Sequence, residues 1–575
     1  MKFKSIAALM LAACSLSAMA EGYKDGVEYY KAGRIELAHE LLSKNLNNAG
    51  TDKSESYYYL GLIQLDYYSY DMRRGKTADA QKELAEATDF FNRGVQANPD
   101  YAFNYAGLGQ VALYKNNIKE AEENMKKAEK LAQKDAGVYA AIARAYYNAG
   151  VINGNPGFYQ KQIDKALGSA EKLMYKRITA APGKADFQPN DQDYYILRGD
   201  MIFATAGADS KLVGDACNEY EEAIRVNPTD GAAYVKYADT YFDINAPFSI
   251  AKLKELLQQA PGSALGQREL AEKLYKDGQV AQATAEYAKL MKNPNHFKSD
   301  ENRYLELLYF SKDFQTGLAQ ANAMVASDPS QFGARSWSYV FAHELKDPNV
   351  IKIAADLLKA QKETGGKLPY GVYPMIARDY NEAGMNDEAI NVLQLGLSHY
   401  PDNLEMLKET ASALAAIDRY AEAADMLSSY IAKQNDPTGT EYWTLSQYAV
   451  VAGQEAQEPG VQGKYFELSK EAALKAEPKL AGQFKYLVHK RLGDIAQISK
   501  QDAVAASEYL QALKLMEDNN VVNNNANDAK AMYRFAGIAA YNNKDFTTAT
   551  QLLNKYLALN PDDQQIKDIL AKIKK

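Results

Sequence analysis

Cysteine is nearly missing: the 575 residues hold only Cys14 and Cys217. A chain with so few has no disulfide framework, and packing must hold it together. On a helix after Ala216, Cys217 reads as a small buried hydrophobe. Histidine is scarce too, and His39, His296, His343, His399 and His489 are dispersed, with no H-E-x-x-H and no Cys/His ligand spacing. No run of 18 apolar residues follows the first twenty positions, so no membrane-spanning helix is expected in the remainder. G-x-S-x-G is absent. Arg74-Gly75-Lys76-Thr77 ends like a phosphate-binding loop, but Tyr70 stands in place of the leading glycine and no strand precedes it, so it reads as a polar inter-helix loop. Glu122-Glu123 and Glu221-Glu222 read as solvated helix faces. No catalytic, cofactor-binding or metal site is expected, and no enzyme.

What is present is a folding composition, 47% hydrophobic and 24% charged. The first twenty residues place Lys2 and Lys4 before an apolar run that ends at Ala18-Met19-Ala20, the pattern of a cleaved secretory signal over residues 1–20. That reading implies a periplasmic protein. A second stays open beside it, because Leu11-Ala12-Ala13-Cys14 resembles a lipobox, and cleavage before Cys14 would leave a lipid-anchored terminus. Without Lys2 and Lys4, 64 basic residues face 74 acidic ones, a formal charge of −10. Such a balance disfavours a nucleic-acid partner.

Apolar residues recur at helical spacing in segments of about a dozen residues separated by Gly, Asn, Asp or Pro turns, and no alternating strand pattern stands out. The segments pair. Ala87-x3-Phe91 precedes Pro99, Ala216-x3-Tyr220 precedes Pro228, Ala389-x3-Leu393 precedes Pro401 and Ala549-x3-Leu553 precedes Pro561, always with twelve residues from alanine to proline. Alanines also step by 34, from Ala87 to Ala121 and from Ala389 to Ala423. A matching first half is visible as Tyr57-x2-Leu60-Gly61, Tyr105-x2-Leu108-Gly109, Tyr373-x2-Ile376-Ala377 and Tyr533-x2-Ala536-Gly537.

These residues resemble the tetratricopeptide repeat family, whose unit is a 34-residue helix-turn-helix. The resemblance implies an all-α tetratricopeptide-type solenoid, a right-handed superhelix of about fourteen repeats with a C-terminal capping helix. Repeat-packing positions are Gly61, Ala87, Gly109, Ala121, Ala216, Ala377, Ala389, Ala423, Gly537 and Ala549. The chain divides into a repeat array over 21–296, weaker repeats over 297–368, a second array over 369–561 and a cap over 562–575. Residues 440–515 also lose signature positions. Asp66–Ala78, Gly150–Gln162, Ala180–Asn190, Ala452–Gly463 and Glu517–Asp528 exceed an ordinary turn and are expected to loop out of the stack.

The family resemblance implies binding of a protein or peptide on the concave wall, and no cofactor. First-helix positions Tyr58, Leu62, Leu65, Tyr114, Tyr147, Phe203 and Phe242 are the expected exposed contact strip. The expected role is a scaffold for protein partners of the cell envelope, beside the outer membrane, with a periplasmic peptide-binding protein or holdase as the second reading. The Lys-x3-Asn, Asn, Lys-x3-Arg set with which some family members grip a C-terminal carboxylate is not found.

Overall fold

The computed structural model describes residues 24–132, 134–180 and 187–573, so the leader with its two cleavage readings lies outside the described residues. Among them are 29 α-helices and no strand. In chain order the helices make fourteen pairs and a last single helix, Gln564–Ile573. The described residues form two compact units, divided between Asp313 and Phe314.

Two local devices set the helix boundaries. First helices are commonly opened by a short polar cap: Asp52 accepts from the Ser54 and Glu55 N–H groups, Asp230 from Ala232, Ser263 from Gly266 and Asn403 from Met406. The turn within a pair places one residue in the left-handed region, as at Gly278 (φ +79°), Asn116 (+55°), Lys346 (+52°) and Lys500 (+58°). The next N–H then reaches back over the helix end: Gln279 donates to the Leu274 carbonyl at 2.8 Å, and Gln501 to Ala496 at 2.8 Å.

Packing between paired helices follows a notch-and-ring rule. A methyl group added at Gly61 would lie 2.5 Å from Phe91 Cε1, and Gly107, in the next pair, lies against the same ring. Phe91 is fully buried between those two glycines. Gly199 faces Tyr220, Gly109 faces Met125, Gly453 faces Phe466, Gly493 faces Tyr509 and Gly537 faces Leu553. Ala87, Ala121, Ala216, Ala389, Ala423 and Ala549 are fully enclosed, and Ala377 is almost so. Each ring fills the space that a missing side chain leaves, which is the dense packing of a protein interior.

One expectation is corrected. Most of the extra residues do not loop out; they lengthen helices. Asp66–Ala78 lies largely within Lys53–Arg73 and Thr77–Ala97, which run 21 residues each. Likewise Ala452–Gly463 is divided between Gly439–Glu455 and Pro459–Ala476, and Glu517–Asp528 between Asp502–Asp518, a short 3₁₀ turn and Ala526–Asn542. Extending both helices of a pair buries more apolar surface than a solvated loop does. Gly150–Gln162 does contain a turn over 153–159, and Ala180–Asn190 falls partly outside the described residues. The weaker repeats keep the same kind of notch. In the second unit Gly317 faces Phe341, so the small residue there belongs to the earlier helix, out of phase with the sequence signature. At the far end Ile566 and Leu570 of the final helix are buried in the cluster formed by Met532, Tyr533, Leu552, Leu553 and Tyr556.

Candidate interaction site

Residues 24–31 and Ile35–Asn45 form a helical hairpin around Gly33 (φ +80°), closed by the approach of Leu42 to Gly26. This hairpin does not touch only its sequence neighbour. Its first helix reaches residues up to 270 positions away along the chain. Tyr29, buried, meets Phe297 edge-on with ring centroids 5.4 Å apart. Tyr30 packs on Tyr59 at 5.4 Å and hydrogen-bonds Asp66. Lys31 Nζ lies 2.8 Å from Asp193 Oδ1. Arg34 is bidentate on Glu269, Nε to Oε1 at 2.7 Å and Nη2 to Oε2 at 2.5 Å, and also reaches Asp239 Oδ2 at 3.0 Å. Asp25 accepts from Asn295 Nδ2 at 2.6 Å, and Glu28 accepts from the Gly231 N–H at the start of Gly231–Tyr241.

The trough beneath is built by a charge ladder. Asp200 accepts from Arg144 (3.0 Å), Lys236 (2.9 Å) and the Tyr220 hydroxyl (3.0 Å). Asp239 pairs with Lys273 at 2.6 Å, and Glu272 binds Arg303 through two hydrogen bonds of 3.0 Å. Arg144, Asp200, Asp239 and Glu272 each directly follow a buried small residue: Ala143, Gly199, Ala238 and Ala271. The notch therefore positions the charge, because the residue after the one that packs inward projects into the trough. Burial would raise the Asp200 carboxyl, but Lys236 and Arg144 hold it below its ordinary value. Asp66, which burial desolvates and only Tyr30 and more distant cations relieve, is pushed up to about 6. Burial, with Asp230 next to it, holds Glu28 well above the usual carboxylate range. Burial would lower Lys31, yet Asp193 and Asp230 outweigh it and raise it.

Beside the hairpin a cleft of about 660 Å³ stays open, lined by Tyr30, Tyr67, Tyr70, Asp66, Arg144, Asn148, Asp193 and Asp200 among others. Its size suits a small ligand or a few side chains of a partner. Of the seven expected contact residues only Tyr58 and Leu62 reach it. Tyr58 is mostly ring core, 5% exposed against Phe103, Tyr59 and Phe91. Leu65 and Phe242 are buried, and Lys273 and Lys276 cover the Phe242 ring at 5.0 and 4.5 Å. Tyr114 is half-buried and stacked on Tyr68, Tyr147 is half-buried, and Phe203 is exposed away from the cleft. They do not form a continuous exposed strip. The charged residues directly after Ala143, Gly199, Ala238 and Ala271 are the sequence signal for the trough.

The second unit carries a smaller polar cluster. Tyr339 donates to Asp379 Oδ2 at 2.7 Å, and His343 Nδ1 lies 2.9 Å from Asp379 Oδ1, a bond that raises the imidazole above its ordinary value. Cys217 is buried, and burial pushes its thiol up to about 12, so no reactive thiolate forms there. Among the described residues no three His, Cys, Asp or Glu side chains are placed to hold a metal ion, and no helix is long and apolar enough to cross a membrane.

Residues 375–439 match the tetratricopeptide repeat family. Among solved structures, the chain is similar to a tetratricopeptide repeat protein from Parabacteroides merdae at 13% identity, with 48% of this chain and 98% of that one covered and a TM-score of 0.30. It is also similar to the C-terminal part of a repeat-containing protein from Cytophaga hutchinsonii, at 14% identity, 47% and 99% coverage and a TM-score of 0.31. A third similar structure, the APC/C hetero-tetramer Cut9–Hcn1, is 15% identical, with 89% of each chain covered and a TM-score of 0.23. No curated protein matches the chain. The family match lies inside the second unit, so residues 375–439 carry tetratricopeptide repeats, and notches of one geometry recur in both units.

Proposed function

We propose that this protein is a non-catalytic scaffold of the bacterial cell envelope, exported by its leader, that holds a partner polypeptide against the first-helix wall of its N-terminal unit. Tetratricopeptide repeats generally mediate protein–protein interaction, which supports the class of function. The observation that carries the choice of face is the cleft of about 660 Å³, where exposed aromatic edges stand over paired charges. Rigid tyrosine rings give contact area at little ordering cost, and the ion pairs beneath them supply orientation.

The test is capture from the native envelope with the tagged chain, followed by size-exclusion chromatography. A defined complex is expected with the wild type. Tyr67→Ser combined with Tyr70→Ser should lose it, whereas Phe158→Ser combined with Tyr175→Ser, at two exposed rings outside the cleft, should retain it. Equal capture by both pairs would reject the face, and absence of any defined complex would reject the scaffold.

A further inference from the structure

The hairpin over 24–45 is bound to the trough mainly as a ligand is bound, by polar groups at fixed spacing. Going along it, Glu28 meets the N–H of Gly231, Tyr29 meets Phe297 edge-on, Tyr30 reaches Asp66, Lys31 meets Asp193 and Arg34 meets Asp239 and Glu269. The three acids that receive the bases come from three successive pairs, on Gln192–Ala206, Gly231–Tyr241 and Ala264–Lys276. A contact made so largely of ion pairs and hydrogen bonds resembles an exchangeable interface more than a domain core.

We infer that the trough of the N-terminal unit is a helix-binding groove whose resident occupant is the chain's own hairpin. The partner it fits is an amphipathic helix with an acid, two adjacent rings, a base and a second base at the spacing of Glu28, Tyr29, Tyr30, Lys31 and Arg34. This rests on the protein-binding reading above and names the chemistry of the partner. The acid of such a helix docks at the N-terminus of Gly231–Tyr241, where backbone N–H groups and the helix dipole favour negative charge. Its two bases meet an acidic row that already stands at the right intervals.

Displacement has a starting point. The open cleft borders the hairpin and shares Lys31, Asp66 and Asp193 with it, so an incoming helix can begin to pair before the hairpin has left. The resident is also imperfectly matched, because Glu28 lies close to two like charges, Asp25 and Asp230, which the Gly231 N–H and the Lys31 charge offset only in part. A partner helix without an acid at the position of Asp25 would remove one of those repulsions.

The experiment uses the full chain and a fluorescent synthetic peptide of residues 24–45. Lys31→Glu with Arg34→Glu should repel the resident hairpin from Asp193, Asp239 and Glu269 and vacate the groove. The peptide should then bind this variant at least about tenfold tighter than it binds the wild type, read by anisotropy. A peptide carrying the same two reversals should bind neither. Equal binding to variant and wild type, or equal binding of the reversed peptide, would overturn the proposal. Hydrogen exchange on the wild type gives a second reading that does not depend on the variant's folding. Amides of 24–45 should open together while those of 192–206 and 231–241 stay protected, and simultaneous opening of all three would overturn it as well. Neither measurement involves an envelope partner, so peptide capture without a native complex would dismiss the scaffold and leave the groove, and the converse would do the reverse.

Discussion

Single residues decide whether two helices can meet. Because Phe91 lies between Gly61 and Gly107, Gly107→Ala forces a methyl into the ring and should cost about 1–3 kcal/mol. In a double-mutant cycle measured by urea denaturation, Phe91→Leu should recover part of that loss. Turn residues act through the backbone instead. Lys500 holds φ +58°, a conformation that costs a side-chain-bearing residue about 1–2 kcal/mol, while glycine pays part of that back as entropy in the unfolded chain. Lys500→Gly should therefore stabilise the second unit by about 0.5–1 kcal/mol, seen as a higher melting temperature. Gly278→Ala should do the opposite to the first unit. His343 offers a pH test. Its pairing with Asp379 raises its value in the folded state, so the contribution is full below about 6.5, the ordinary histidine value, and is lost as pH rises through the raised one. Melting curves between pH 5 and 8 should show that loss, and His343→Gln should flatten it.

Between elements, the trough responds to acid in the same sense, through a carboxyl instead of an imidazole. Asp66, at about 6, binds its proton more tightly in the folded state, so protonation favours the folded unit. Stability of the first unit should rise as pH falls from about 6 toward 4, the ordinary aspartate range, and Asp66→Asn should remove part of that rise. Chemical denaturation of the two proteins at pH 7 and 4.5 makes the comparison. Helix pairing itself was legible in the sequence, since Ala87, Ala216, Ala389 and Ala549 each stand twelve residues before a proline. Helix length was not. Local composition around Asp66–Ala78 suits a loop, and only the partner helix shows that two longer helices cover each other. Nor was the hairpin's reach legible, because Lys31 and Asp193, or Arg34 and Glu269, carry no mark of adjacency across so many residues. The contact strip failed because Tyr58, Leu65 and Phe242 are buried in the folded stack, and first-helix position alone does not tell an outward ring from a packed one.

For the molecule as a whole, a stack in which each pair leans mainly on its neighbours predicts damage that stays local. Gly537→Leu meets Leu552 and Leu553 directly and should loosen residues 526–573 by about 1–3 kcal/mol. Amides of the first unit should keep their protection in hydrogen exchange, whereas equal loosening throughout would refute the modular account.

The ring of Phe91 has one further consequence, for descent. It belongs to one pair yet occupies a vacancy in the next, so duplication or loss of a repeat is tolerated only when the break spares both glycines. Gene rearrangements that cut between Gly61 and Gly107 would leave either an orphan ring or an empty hollow, and the join between repeats is thereby kept in step with the fold.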